Sequence, residues 1–413
     1  MAHIAWLGKK SPFCGNVTYG LTTTNALRLR GHSISFIHFD TPATGQLGFP
    51  GVAGEPVIPQ QQTNHGALQN LSAQNIAPEV VLPYLVKSQV YTIPSPGAQR
   101  ELRESLERLR PDLIHASLTL SPLDFRLPDL CQQLGLPLVA TFHPPFDAGL
   151  RNLTAGTQQL TYQLYAPALS RFDRVVVFSD LQADVLKKLG VHAERLAVIP
   201  NGVDTDVWKP ATADHNGSRE LRELKHRFSG RRVFLYMGRL ATEKNVEALL
   251  RAWKLVQPRG CVLLIVGDGP LRSTLEANHQ QPDVVWWGYE PSLEMRIALQ
   301  QLAEVFLLPS LVEGLSLSLL EAMASGTACV ATDAGADGEV LGSGAGIVIS
   351  TQGVTTQLRT LLPVLRDQPV LTSELGRHAR ARAVERYTLS GNINALESLY
   401  AELLTKTKSA IPA

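Results

Sequence analysis

Residues 310 to 333 read SLVEGLSLSLLEAMASGTACVATD, and this stretch contains the main elements of the fold. The apolar run before it, VFLLP, predicts a buried strand, and the Leu, Ala and Met after it predict a helix that contains Glu321. ACVATD at its end predicts another strand. Glu313 therefore lies on a strand-to-helix turn, and on an ideal helix about 12 Å would separate it from Glu321. At that distance the two carboxylates do not share one proton.

The same alternation of strand and helix extends along the chain in both directions. Short β-rich runs begin at residues 3, 34, 112, 137 and 174, and a second series begins at residues 233, 261, 283, 304 and 328. Strands that alternate with helices predict parallel sheets covered on both faces. The two series predict an α/β protein with two Rossmann-like domains.

The boundary between these domains is predicted at IPNGVD, residues 199 to 204, because a polar stretch follows it. We expect an N-terminal domain at 1–198, a C-terminal domain at 199–385, and a last helix at 386–413 that packs back on the N-terminal domain. Residues 41–86 interrupt the pattern, with no Lys or Arg and many Gly, Pro and Gln. Such an insertion is either a functional loop or a mobile surface loop.

The composition indicates a folded protein without a global charge. Of the 413 residues, 44% are hydrophobic and 18% are charged, and the net charge of +1 gives no field that recruits nucleic acid. Four scattered cysteines lack a metal-ligand spacing and predict reduced thiols. The apolar runs fall far short of the roughly 20 residues that span a bilayer, and the first strand leaves no room for a signal peptide. We expect a cytoplasmic protein, which leaves peripheral contact with the cytoplasmic face of a membrane open.

Residues directly after the strands are candidates for ligand binding, because ligands of open parallel sheets bind outside the carboxyl ends of the strands. GRLATEKN places Arg239 and Lys244 at such an end, where two cations and a helix N-terminus suit a diphosphate. An ordinary solvated basic turn is the alternative. GDGP allows a ligand to approach the backbone closely at Gly267, although many tight turns have this composition.

The start of the helix that contains Glu321 is a further candidate. Gly314 to Ser316 open this helix, so its amides can also face a phosphate. We expect Glu321 to accept hydrogen bonds from the hydroxyls of a ribose, and Glu313 to lie nearer to the reacting atoms.

Four motifs in this order resemble the nucleotide-sugar domain of retaining glycosyltransferases of family 4, which have the GT-B fold. They are GRLATEKNVEALLRAW, IVGDGPL, LPSLVEGLSLSLLEAMASGTACVATD and GAGIVIS. A glutamate pair with seven residues between its members is the signature of that family. The resemblance implies that Glu313 contacts the donor sugar and Glu321 the ribose, and that Arg239 and Lys244 neutralise the diphosphate. The donor that it favours is a UDP-sugar.

The N-terminal half resembles the family more loosely. The family usually has a Gly-Gly loop after the first strand, and here the pair is Gly15-Asn16. TFHPPF contains the strand-end histidine of the family, His143, which would contact a donor-sugar hydroxyl or else be structural. The resemblance implies four catalytic residues, which are His143, Glu313, Arg239 and Lys244. It also implies these donor-binding residues: Gly15, Asn16, Arg239, Lys244, Gly267, Tyr289, Glu313, Gly314, Leu315, Ser316 and Glu321.

We predict neither a metal nor a cofactor. Asp204 and Asp206 have the spacing of a metal-binding Asp-x-Asp, but they lie in the predicted hinge, where the family has no metal. The 11 histidines form no H-x-x-x-H or H-x-x-E-H cluster.

The implied reaction is glycosyl transfer from a nucleoside diphosphate sugar with retention, in which the leaving phosphate accepts the proton of the acceptor. The opening HIAWLGKKSPFCGNVTYG is similar to cyanobacterial glycolipid glycosyltransferases that add a second galactose to monogalactosyldiacylglycerol. Segments 41–86 and 150–172 carry little charge, which is compatible with a lipid-facing acceptor cleft or with ordinary packing surface.

Three alternatives differ in their requirements. A transferase with a soluble sugar, sugar-phosphate or polysaccharide acceptor needs no lipid. A nonhydrolysing sugar-nucleotide epimerase needs no acceptor and requires acid and base carboxylates around the sugar. A two-domain solute-binding protein requires an export signal, which the sequence lacks.

Overall fold

The computed structural model describes residues 1–11, 14–40, 79–88, 90–211 and 217–409. The chain forms two compact units, Met1–Leu138 and Val139–Ala413. Most of the 41–86 insertion lies outside the described residues. No helix in the described part of the chain combines the length and the apolar character needed to cross a membrane.

The first unit contains a parallel sheet with the strand order β3-β2-β1-β6 and a two-stranded antiparallel hairpin, β4-β5. Its strands are β1 His3–Leu7, β2 Ser33–Phe39, β3 Val80–Leu82, β4 Tyr84–Lys87, β5 Thr92–Pro94 and β6 Leu113–Ser117. Its helices are α1 Gly15–Leu29, α2 Ala98–Leu109 and α3 Leu127–Leu134, with a 3₁₀ turn at Pro122–Arg126. Every residue of β6 is buried, as expected for a strand covered on both faces.

Three parallel strands follow in the order β7-β8-β9, and the second unit begins one residue into the first of them: β7 Leu138–Thr141, β8 Arg174–Val177 and β9 Leu196–Val198. Six further strands follow: β10 Arg232–Met237, β11 Cys261–Val266, β12 Val284–Gly288, β13 Val305–Leu308, β14 Ala328–Thr332 and β15 Ile347–Ile349. The helices are α4 Leu153–Leu169, α5 Asp180–Lys188, α6 Arg219–Arg227, α7 Val246–Val256, α8 Arg272–Asn278, α9 Leu293–Leu302, α10 Leu317–Ala324, α11 Asp337–Val340, α12 Val354–Asp367, α13 Pro369–Arg386 and α14 Leu389–Ser409. Two 3₁₀ turns lie at Ala193–Arg195 and Thr242–Lys244.

The six-stranded sheet is parallel and has the order β12-β11-β10-β13-β14-β15. This is the strand order of a doubly wound Rossmann fold, whose ligands bind where the order reverses, at the carboxyl ends of the first and fourth strands. Here these strands are β10 and β13. The loops that follow them carry Arg239, Lys244 and Glu313.

The predicted fold class is confirmed: the chain is a parallel-sheet α/β protein with two Rossmann-like sheets. The helix that contains Glu321 is also present, as α10. Strands β3, β4, β5, β9 and β15, of three or four residues each, were not predicted. The domain boundaries at 198 and 385 stay predictions. In the last helix, α14, Glu402 forms an ion pair with Arg174 of β8 at 2.6 Å.

Candidate active site

Two cations lie in the loop after β10, and each is paired with a carboxylate. The guanidinium of Arg239 forms an ion pair with Glu243. The ammonium of Lys244 lies 2.5 Å from Oε1 of Glu313. Lys244 belongs to the 3₁₀ turn before α7 rather than to the start of that helix, because Asn245 adopts the left-handed conformation between them. The loop therefore holds two positive charges ready to meet an anion, with Glu243 and Glu313 as their partners.

Glu313 is buried on the loop after β13, and several contacts hold it in place. Its Oε1 accepts a hydrogen bond from Oγ of Ser310 at 2.8 Å in addition to the ion pair with Lys244. Its backbone forms an antiparallel bridge with Phe146, whose amide donates to the Glu313 carbonyl at 2.8 Å. A buried ion pair that is broken on one side is strongly destabilising. Lys244 and Glu313 therefore act as one unit.

The segment after β14 clamps the Glu313 loop from the other side. Gly335 has a positive φ of 57°, and a Cβ there would lie 2.0 Å from the Glu313 carbonyl oxygen. The Ala336 amide donates to the Gly314 carbonyl at 2.9 Å. Oδ1 of Asp337 accepts from the Ser316 amide at 3.0 Å. The sequence analysis did not predict this clamp, although a glycine two residues after a predicted strand was a weak signal.

The turn at the start of α10 is less open than the sequence predicts. Ser316 caps the helix, since its Oγ accepts from the Leu319 amide, and its own amide is bound by Asp337. Leu315 is buried, and its carbonyl accepts from Nδ2 of Asn201 at 3.0 Å. Two amides of this turn thus have protein partners, so the expectation that the amides at the helix start are free for a phosphate is wrong for Ser316 and Leu319.

Glu321 lies on α10, and burial raises its pKa to about 7. The positive charge of Arg296 opposes this rise but is the smaller effect. Arg296 itself lies over the ring of Trp208, 5.9 Å from its centroid. Near neutral pH, therefore, a modest change in the surroundings of Glu321 decides whether it is charged.

Gly267 has a positive φ of 132°, and a Cβ there would lie 1.9 Å from the carbonyl oxygen of Gly238. The amide of Leu240 also donates to the carbonyl of Asp268 at 2.9 Å. The glycine is thus required by the backbone of the neighbouring loop. The close neighbour that the structure describes at Gly267 is protein, and the close approach of a ligand that the sequence predicts there stays a prediction.

His143 and Tyr289 also follow strands of the second unit. His143 is partly buried, with its ring 5.2 Å from that of Phe178, and its carbonyl oxygen would be 3.3 Å from a Cβ on Gly314. The structure therefore brings the His143 backbone to the Glu313 loop. Tyr289 is exposed after β12.

Gly15 and Asn16 open α1 in the first unit. Oδ1 of Asn16 accepts from Oγ of Ser117 at 2.7 Å, and its Nδ2 donates to the Leu118 carbonyl at 3.1 Å. Asn16 thus ties the helix to the end of β6. Donor contacts by Gly15 and Asn16 stay predictions.

Asp204 and Asp206 form a turn. Oδ1 of Asp204 accepts from the amides of Asp206 and Val207 at 3.0 and 3.2 Å. Among the described residues, no three His, Cys, Asp or Glu side chains are grouped so that they could hold a metal ion.

Two family models match the chain: Glycosyltransferase Family 4 at residues 13–207 and Glycosyl transferases group 1 at residues 231–367. The alpha-maltose-1-phosphate synthase of Mycolicibacterium smegmatis is 30% identical over 273 residues, which are 62% of this chain and 70% of that enzyme. The chain belongs to glycosyltransferase family 4.

Other glycosyltransferases are similar at lower identity. The UDP-Gal:alpha-D-GlcNAc-diphosphoundecaprenol alpha-1,3-galactosyltransferase of Escherichia coli is 26% identical over 234 residues, which are 53% of this chain and 57% of that enzyme. The chain matches between 57% and 70% of the length of the first curated relatives.

Solved structures support the fold of this glycosyltransferase. Anabaena Alr3699/HepE in complex with UDP-glucose has a TM-score of 0.73 and 18% identity, and the match covers 97% of this chain and all of that one. The fold is GT-B.

Proposed function

We propose that this glycosyltransferase moves a hexose from a UDP-sugar to an acceptor with retention at the anomeric carbon and without a metal. The arrangement of Arg239, Lys244 and Glu313 supports this proposal most directly. Two cations in one loop can take up the charge of a diphosphate, and a buried carboxylate beside them can face the sugar. A UDP-sugar is favoured because the E. coli relative is named for UDP-Gal and the Anabaena neighbour holds UDP-glucose.

Each residue has a defined part in the proposed reaction. When the bond to the diphosphate breaks, negative charge grows on the phosphate, and Arg239 and Lys244 stabilise it by exchanging their carboxylate partners for phosphate oxygens. Glu313, released from Lys244, offsets the positive charge of the oxocarbenium-like sugar. His143 hydrogen-bonds a sugar hydroxyl and Glu321 accepts from the ribose. The leaving phosphate takes the proton of the acceptor hydroxyl on the same face.

A kinetic experiment can distinguish the proposed roles of Glu313 and Glu321. Glu313→Gln should lower kcat, because its charge is needed as the sugar becomes positive. Glu321→Gln should mainly raise the donor KM, since ribose is bound equally in the ground and transition states. The opposite pattern would mean that the two roles are exchanged.

For the acceptor, we propose a membrane glycolipid, and the observation that carries this choice is helix α4. It begins at the Glu313 loop, where Nδ2 of its N-cap residue Asn152 donates to the Leu311 carbonyl at 3.2 Å. Its 17 residues contain no charged side chain. A lipid whose head group reaches the site from this side would therefore meet an uncharged helix.

The outer face of α4 is lined by leucines rather than by charges. Leu153, Leu160 and Leu164 recur at helical spacing and are 92%, 64% and 63% exposed. The opposite face of the helix is already buried through Tyr162 and Leu169, among others. Surface helices normally carry polar residues on the outer face, so these leucines indicate a binding surface.

The size of this leucine face favours a membrane over a second copy of the chain. Burying one leucine removes on the order of 100 Å² from water, so the three account for roughly 300 Å². A stable protein interface needs about 800 Å² per partner. Shallow insertion into a bilayer requires no such area. We place the protein at the cytoplasmic face of a membrane, bound peripherally, and propose galactosyl transfer to monogalactosyldiacylglycerol as the reaction.

A transferase with a soluble acceptor is the second candidate. The M. smegmatis relative is named for a sugar phosphate, alpha-maltose-1-phosphate. On this alternative the leucine face of α4 has no part in the reaction.

The test of the reaction is mass analysis of products from UDP-galactose and UDP-glucose with dispersed monogalactosyldiacylglycerol, with soluble sugars, and with donor alone. We expect the galactolipid to be the better acceptor and the new linkage to be α. Conversion of donor without acceptor would indicate an epimerase, and a clear preference for a soluble sugar would support the second candidate.

The test of the surface is sedimentation with vesicles of monogalactosyldiacylglycerol and phosphatidylglycerol. Leu160→Gln and Leu164→Gln should each weaken vesicle binding by about tenfold, since burial of one leucine contributes roughly 1.5 to 3 kcal/mol. Leu255→Gln is the matched control, because Leu255 lies on α7 and is also 63% exposed. Equal binding by all three variants would contradict the assignment of α4 to the membrane.

A further inference from the structure

Asp337 is a buried carboxyl group beside the proposed donor site to which neither the sequence motifs nor the comparisons assign a role. Only 1% of the residue is exposed. Its Oδ1 accepts from the Ser316 amide at 3.0 Å, and its buried Oδ2 has no hydrogen-bond partner among the residues that the structure describes. A buried polar atom of this kind requires an explanation.

The burial of Asp337 and the charges around it favour its neutral form, because an unpartnered oxygen costs less to bury when it is neutral than when it is charged. Burial raises its pKa well above the ordinary value, and the negative charge of Glu313 raises it further. The hydrogen bond from Ser316 and the charge of Lys244 oppose this rise but are smaller effects. Glu313 already holds the ion pair with Lys244, and two neighbouring carboxyl groups whose surroundings differ divide into one charged and one neutral member.

We propose that Asp337 is a positioning residue that, as a neutral carboxyl group, holds the Gly314–Ser316 turn through the Ser316 amide and places no second negative charge beside Glu313. The turn is thereby fixed without repelling the diphosphate of a donor. An ionised aspartate would fix the turn equally well but would weaken the pull of Lys244 on that diphosphate. The part of this proposal that concerns transfer rests on the proposed function, whereas the neutral state does not.

Two substitutions separate the hydrogen bond from the charge. Asp337→Asn keeps an oxygen for the Ser316 amide and is always neutral, so its kcat/KM for UDP-galactose at pH 7 should stay close to that of the wild type. Asp337→Leu has the same branching of heavy atoms, with bulkier methyl groups and no acceptor, and displacement of the turn should lower kcat/KM by about 10²-fold. Equal losses in both variants would overturn the proposal, because the carboxylate itself would then be required.

A second measurement tests the neutral state without any donor. A raised pKa means that the folded protein holds a proton that the unfolded chain releases, so the wild type loses stability as the pH rises above the ordinary value of 3.8. Asp337→Asn has no carboxyl group at this position, so its stability does not fall with pH for this reason. The Tm of the variant relative to the wild type should therefore increase as the pH rises above 3.8, until the pH reaches the raised pKa of the folded protein.

The Tm measurement and the transfer assay test different parts of the proposal, and each can contradict its own part alone. A Tm difference that does not change with pH would overturn the neutral state of Asp337, whatever the enzymatic activity. If the Tm difference grows as expected but the wild type transfers no sugar from any nucleotide donor, the proposed function fails and the neutral carboxyl group stands.

Discussion

Binding of UDP should release a proton from Glu321. The pKa of its buried carboxyl group is about 7, against an ordinary value of 4.5. Ribose hydroxyls that donate to this group stabilise its charged form and lower the pKa again. The nucleotide should therefore bind best to the ionised carboxylate, and affinity should rise with pH.

The magnitude follows from these two pKa values. At pH 6.5 about three quarters of the free protein carries this proton, and almost none of the complex does if the pKa returns to its ordinary value. UDP should thus displace about 0.75 proton at pH 6.5 and almost none at pH 8.5. The Kd should be about tenfold weaker at pH 6 than at pH 8.

Isothermal titration calorimetry in buffers of different ionisation enthalpy measures this proton directly. The terminal phosphate of UDP itself titrates near pH 6, so 2′,3′-dideoxy-UDP is the control, because it has the same diphosphate and lacks the ribose hydroxyls. Glu321→Gln should remove the difference between the two nucleotides. Equal proton release by both nucleotides on the wild-type protein would refute the assignment of Glu321 to the ribose.

The remaining predictions concern the diphosphate, metals and the clamp on the Glu313 loop. Arg239→Ala and Lys244→Ala should each lower kcat/KM by about 10²-fold, as loss of one group that stabilises a developing anion does, and near-wild-type rates for both would rule out the phosphate site. Activity should survive dialysis against EDTA, and loss that only Mg²⁺ or Mn²⁺ restores would contradict a metal-independent reaction. Gly335→Ala should destabilise the protein by more than about 2 kcal/mol in urea unfolding, because backbone strain adds to a clash with a carbonyl. Gly344→Ala is the control, because Gly344 has φ 81° and no atom lies within 4 Å of the added Cβ. It should lower the free energy of unfolding by only about 1 kcal/mol. Equal losses of stability in the two variants would show that the segment at Gly335 does not pack tightly against the Glu313 loop.

The parallel sheets could be predicted because their long strands consist of consecutive apolar residues. All six residues of Cys261–Val266 are buried, and such a run has few other structures open to it. Strands of three residues such as Leu196–Val198 leave no comparable pattern, because none of its residues is buried and three residues are too few to show a period. Their pairing is decided by the neighbouring strand.

The site residues could be predicted as candidates because topology alone brings the ends of parallel strands to one edge. The contacts among them could not be predicted. Lys244 and Glu313 are 69 residues apart in sequence, and their ion pair depends on a 3₁₀ turn that no periodicity indicates. Asp337 was missed for the same reason, because its partner is a backbone amide at the start of another helix.

The close fit between the Gly267 turn and the loop at 238–240 makes these two segments a single module for protein engineering. A Cβ on Gly267 would lie 1.9 Å from the carbonyl oxygen of Gly238, and a backbone hydrogen bond from Leu240 to Asp268 joins the two loops. Neither loop can therefore change its length or its path alone. A chimera that receives only one of them from a relative with another donor preference should express as misfolded protein. A chimera that receives both together should fold, so any donor specificity that these loops carry should be transferable only as a pair.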